Sequence, residues 1–100
     1  MVRGTRIVWA PNALQSRKSI FAYWNKRNKS DVYSKKLNVL FNESIKQASL
    51  LLETGKPTEF KNIRLKIVSH FELIYEVSDT KITIIDIWDT RQNPQDFPIK

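Results

Sequence analysis

Five consecutive short blocks decide the fold: Arg64-Leu65-Lys66-Ile67-Val68, Ser69-His70, Phe71-Glu72-Leu73-Ile74-Tyr75-Glu76-Val77, Ser78-Asp79-Thr80-Lys81 and Ile82-Thr83-Ile84-Ile85-Asp86-Ile87-Trp88. The first block alternates basic with apolar residues. The third and fifth are rich in β-branched and aromatic side chains, as a half-buried antiparallel sheet prefers. The two polar blocks between them are turn-length. The pattern predicts three strands joined as a meander, because connections this short leave neighbours in sequence as neighbours in space.

Upstream of Phe60 the period is 3.6 instead of 2. Thr5 to Trp9 reads as a short strand, stopped at Ala10-Pro11-Asn12, with Asn12 as the expected helix N-cap. From Ala13 to about Arg27 a stripe of Ala13, Leu14, Ile20, Phe21 and Trp24 predicts a helix. Asn25-Lys26-Arg27-Asn28-Lys29 ends it, and Ser30-Asp31 opens a second helix. That helix carries Tyr33, Leu37, Leu40, Phe41, Ser44, Ile45, Ala48, Leu51 and Leu52 at spacings of three and four, with Gly55 expected as a left-handed C-cap before Pro57. The two form an antiparallel hairpin. The order is β-α-α-β-β-β, an α+β fold in which an antiparallel sheet packs on a helical hairpin. The first strand must join the sheet to satisfy its backbone groups. If Leu65 and Ile67 meet the helices, Arg64 and Lys66 stand on the uncovered sheet face.

A chain of 100 residues without Cys and with one His is one domain, 1–100, with no disulfide framework and no thiolate metal site. No apolar run is long enough to span a bilayer, and the start lacks a signal-peptide core, so a cytoplasmic setting is expected. The net charge of +7 is unevenly placed: +8 in residues 1–36, +2 in 37–70 and −3 in 71–100. Such a field favours a polyanion or an acidic protein, although Lys and Arg also keep amphipathic helices in solution.

Lys56, Lys61, Arg64, Lys66 and Arg91 are the candidate nucleic-acid-binding residues. Clustered cations suit phosphate binding and stabilisation of extra transition-state charge, and equally suit docking to an acidic surface or a solvated sheet face. Asp86 is placed to pair with Arg64 or Lys66 across the sheet. His70 in its turn is a general-base candidate, though such a His is more often a polar turn residue. Trp9, Trp24 and Trp88 can stack on bases, but in a core this small they are better read as packing. No metal ligand set and no cofactor are expected.

In this order, Ile7-Val8-Trp9-Ala10-Pro11-Asn12-Ala13, Tyr33-Ser34-Lys35-Lys36-Leu37, Ile63-Arg64-Leu65-Lys66-Ile67, Phe71 to Val77 and Ile84-Ile85-Asp86-Ile87-Trp88-Asp89-Thr90-Arg91-Gln92-Asn93-Pro94 resemble the RelE/ParE superfamily of bacterial type II toxin–antitoxin toxins, also known from plasmid stabilisation. The resemblance spans nearly the whole chain. It implies the same fold and a cognate antitoxin laid over the helix hairpin and the basic face. It also implies one of two targets: ribosome-bound mRNA, cut without metal by an mRNA interferase, or DNA gyrase, poisoned without catalysis. For a nuclease the implied catalytic set is Arg64 and Lys66 on phosphate, Arg91 on transition-state charge, and Glu72 or His70 in proton transfer. Two departures stand out: Glu72 occupies a position where RelE-like nucleases place an Arg, and Phe97, not a Tyr, is the aromatic near the C-terminus. A third reading is a non-catalytic nucleic-acid- or protein-binding module on the same fold.

Overall fold

The computed structural model describes residues 6–50 and 55–92. Its elements are β1 (Arg6–Trp9), α1 (Pro11–Asn28), α2 (Val32–Leu50), β2 (Lys56–Pro57), β3 (Ile63–Val68), β4 (Phe71–Val77) and β5 (Lys81–Asp89). The expected residues Thr5, Leu51, Leu52 and Phe97 lie outside the described ones.

The five strands form one mixed sheet in the order β1-β5-β4-β3-β2. The meander β3-β4-β5 is antiparallel, as its turns require. β1 joins it in parallel, from Arg6 beside Lys81 to Trp9 beside Ile84. Parallel neighbours need a long crossover, and the helical hairpin supplies it. β2, two residues with no periodicity to reveal them, extends the sheet beyond β3.

Helix α1 begins two residues earlier than the stripe suggests. Ala10 is the N-cap and Pro11 occupies the first turn, where its missing N–H is no loss. Asn12 is therefore inside the helix. α1 ends at Lys29, whose backbone is left-handed at φ 52° and ψ 38°. At the start of α2 the Asp31 carbonyl accepts the first helical bond, from the Lys35 N–H at 3.0 Å, and the Ser30 hydroxyl accepts from the Val32 N–H at 3.2 Å. Ser34, buried on α2, lies 3.1 Å from the Phe21 carbonyl and 2.5 Å from Asn25 Oδ1, tying the two helices together.

The core lies between the hairpin and one sheet face. Ala13, Leu37, Phe41, Ile45 and Ala48 of the helices meet Val68, Phe71, Leu73, Tyr75, Ile82, Ile84 and Ile87 of the sheet. Phe41 stacks on Phe21 and meets Phe71 edge-on at 5.7 Å. Ile74 is fully buried but belongs to the opposite face, outside this cluster.

Gly55 is not the left-handed cap that the sequence suggests. Its φ is outside the left-handed region, and the reason for glycine is close approach: an added Cβ would lie 2.8 Å from Tyr75 Cζ and 3.0 Å from Arg64 Cβ.

Candidate functional site

The ladder between β3 and β4 reverses the expected facing of the sheet. Arg64 pairs with Tyr75, Lys66 with Leu73 and Val68 with Phe71. Directly opposed residues share a face, and Tyr75, Leu73 and Phe71 are core. Arg64 and Lys66 therefore stand on the helix-covered side, half-buried at its margin, where long stems lie along apolar surface and the heads reach water. Leu65 and Ile67 are on the other face, with Ile67 70% exposed. Alternation shows which residues share a face, not which face is covered.

Arg64 is engaged locally: its Nη1 donates to the Gly55 carbonyl at 2.9 Å. Glu72 pairs with Ile67 and Trp88 and so lies on the face opposite Arg64. Lys56, opposed to Leu65, is also on that face, and exposed Lys61 is in the loop before β3. Asp86 pairs with neither Arg64 nor Lys66. A bulge between Ile74 and Tyr75 breaks the ladder beside it, and its Oδ1 accepts from the Ser16 hydroxyl of α1 at 2.6 Å and from the Ile87 N–H at 2.8 Å.

His70 and Arg91 come together at the far end of the meander. Thr90 donates through its N–H and its hydroxyl to the His70 carbonyl, at 2.9 and 2.8 Å. Arg91 holds Asp89 with two guanidinium bonds, Nε to Oδ1 at 3.0 Å and Nη2 to Oδ2 at 2.9 Å, while its backbone N–H also reaches Oδ1. The guanidinium hydrogen bonds are the main reason that the Asp89 carboxyl falls below its usual 3.8; partial burial opposes them, and the nearby His70 adds a small effect in the same direction. The same contact raises the Arg91 guanidinium.

This end of the sheet faces a cleft of about 620 Å³ between α1 and β5, walled by Tyr23, Trp24, Phe71, Asp89 and Arg91 among others. Arg91 sits over the Trp24 ring, 5.3 Å from its centroid, and Trp24 meets Tyr33 and Tyr23 edge-on at 4.9 and 5.1 Å. Sequence reasoning singled out Arg91 but not Asp89 as its partner. The spacing Asp89-Thr90-Arg91 just past an apolar strand is the signal that could have shown it. Arg64 is four residues up β3 from Val68, roughly 13 Å at strand rise, and Arg91 follows the Asp89–Phe71–Val68 row. Among the described residues, then, the candidates divide into three groups: Arg64 with Lys66, Glu72 on the reverse face, and His70 with Arg91.

No group of three or more His, Asp or Glu able to hold a metal occurs among the described residues, and no described helix is long and apolar enough to cross a membrane. In structure, the chain is similar to a protein of the chromosomal ParDE toxin–antitoxin system of P. aeruginosa, with a TM-score of 0.74 at 16% identity, covering 88% of this chain and 98% of that one. It is also similar to YafQ from E. coli strain BL21(DE3), with a TM-score of 0.48 at 15% identity, covering 85% of this chain and 92% of that one. No curated protein matches the sequence. The family model for the ParE toxin of the type II toxin–antitoxin system parDE matches residues 7–94, nearly the whole described fold. The chain belongs to that family and is a type II toxin of the RelE/ParE superfamily.

Proposed function

We propose that this toxin stops growth by binding and poisoning DNA gyrase and not by cutting mRNA. The observation that carries the reading is the separation of the candidate catalytic groups. Metal-free RNA cleavage needs a proton acceptor and phosphate-binding cations around one phosphate, within hydrogen-bond reach of the reacting atoms. Here Arg64 and Lys66 are on one face and Glu72 on the other. Arg64 is spent on the Gly55 carbonyl, and Arg91 on Asp89. A protein-binding inhibitor has no such requirement. Membership in the ParE family supports the same target and implies a cognate antitoxin as partner.

The test is a pair of assays on purified toxin. Gyrase supercoiling should fall and cleaved gyrase–DNA complexes should accumulate, while mRNA on translating ribosomes stays intact. Cut mRNA with unaffected supercoiling overturns the reading in favour of an mRNA interferase. Neither effect would leave a binding module without toxicity.

A further inference from the structure

The tip of the helical hairpin concentrates cations in a way that packing does not need. Residues 26–36 hold Lys26, Arg27, Lys29, Lys35 and Lys36 against Asp31 alone. Lys35 is bound to Asp31 at 3.3 Å, and none of the other four has a carboxylate partner among the described residues. All are exposed. The elements that carry them are firmly joined, since Ser34 bridges α2 to the Phe21 carbonyl and Asn25 of α1.

Two features of the tip cost stability. Lys29 occupies a left-handed backbone position, φ 52°, which glycine or asparagine fills at lower cost. Unpaired like charges crowded around one turn repel each other. Lys26, Arg27 and the C-cap Lys29 recover part of this against the negative end of α1, but Lys36, in the second turn of α2, does not. A patch that opposes folding while staying open to solvent fits a binding surface.

We infer that the hairpin tip binds the phosphate backbone of double-stranded DNA. A polyanionic backbone asks only for long cationic side chains on a rigid support. An acidic helical partner would need an apolar stripe as well, and between residues 21 and 36 the large exposed apolar side chains are Tyr23 and Val32 only. Single strands would need open aromatic faces on which bases stack. Trp24, the nearest indole, is already occupied by Arg27 at 5.9 Å, Arg91 at 5.3 Å and the edge of Tyr33. Arg91 keeps Asp89 as its counter-charge, so the binding cations are Lys26, Arg27, Lys29 and Lys36.

The experiment is fluorescence anisotropy with a short labelled duplex of mixed sequence, titrated with toxin at several salt concentrations. Each lost phosphate contact lowers the slope of log K against log salt by about 0.9, so K26Q/K29Q/K36Q should lose about 2.7 of it. R6Q/K18Q/K46Q removes the same charge from exposed positions elsewhere and should keep the slope. Lys29→Gly alone should lose about 0.9 while raising the melting temperature. An unchanged slope in the tip variant, equal losses in both triple variants, or tighter binding of single-stranded DNA or of a polyglutamate peptide overturns the proposal. Gyrase is absent from the assay: duplex binding by a toxin that fails to inhibit gyrase would remove the reading above and leave this one standing.

Discussion

The backbone of Gly55 lies against the phenol of Tyr75, so closely that a single methyl group at position 55 would overlap the ring. Gly55 also accepts a hydrogen bond from Arg64, which anchors the chain entering β2 to the margin of the core. Gly55→Ala should therefore destabilise the toxin by about 1–3 kcal/mol through overpacking, read as a drop in urea midpoint. The Tyr75 hydroxyl is buried and makes no hydrogen bond among the described residues. Tyr75→Phe should be neutral or stabilising, and in the double variant it should recover part of the Gly55→Ala loss. A double variant no better than Gly55→Ala alone would show that the clash is not with the hydroxyl.

Neighbouring positions on β3 give opposite expectations. Ile67 is 70% exposed and Val68 only 6%. Ile67→Lys should change stability by no more than about 0.5 kcal/mol, whereas Val68→Lys puts an unpaired charge against Phe71 and should prevent folding. Circular dichroism melts of the two variants check the facing of the sheet directly; a folded Val68→Lys beside an unfolded Ile67→Lys would restore the facing that the alternation suggested.

Arg64 is better placed to hold structure than to act on substrate. Losing its bond to the Gly55 carbonyl should cost about 1–2 kcal/mol in Arg64→Ala. Lys66, half-buried at the sheet margin and without a described partner, should cost less when replaced by Ala. Paired thermal melts and growth-inhibition assays read this: toxicity should follow stability in Arg64→Ala and survive in Lys66→Ala.

The Asp89–Arg91 pair gives a signed pH dependence. The folded-state carboxyl lies below its usual 3.8, so its stabilisation is complete above that value and is lost as the pH falls through the lower folded value. The pair is partly open to solvent, with side chains 49% and 25% exposed, and screening limits its worth to about 1 kcal/mol or less. Asp89→Asn should therefore melt slightly earlier than the parent at pH 7 and converge with it below pH 3.8. Melting curves across that range check it, and a gap that widened in acid would contradict the pairing.

The change of period after Phe60 made the element order readable, because helices and strands space their apolar residues differently. The turn at Ser69-His70 and the Ser30-Asp31 start of α2 were readable from their polar residues, whereas Asn12, expected as the cap of α1, lies inside that helix behind Ala10. Facing was not, since Arg64-Leu65-Lys66-Ile67-Val68 alternates equally well either way up, and only the partners Tyr75, Leu73 and Phe71 decide it. Gly55 followed by Pro57 imitates a helix stop, while its actual role depends on a tyrosine twenty residues later. Arg91 is legible as a charge and its pairing with Asp89 as a two-residue spacing, but its place over Trp24 depends on where α1 crosses the end of β5.

The parallel pairing of Ile7 with Ile82 and of Trp9 with Ile84 has a consequence for the order in which the chain folds. Among the described residues β1 finds its ladder partner only on β5, so this sheet cannot close while Lys81–Asp89 is still inside the ribosome exit tunnel. Contacts so distant along the chain are the slow ones to form. Closing the sheet is therefore a late event in folding, because it waits on a contact that joins the two ends of the described structure.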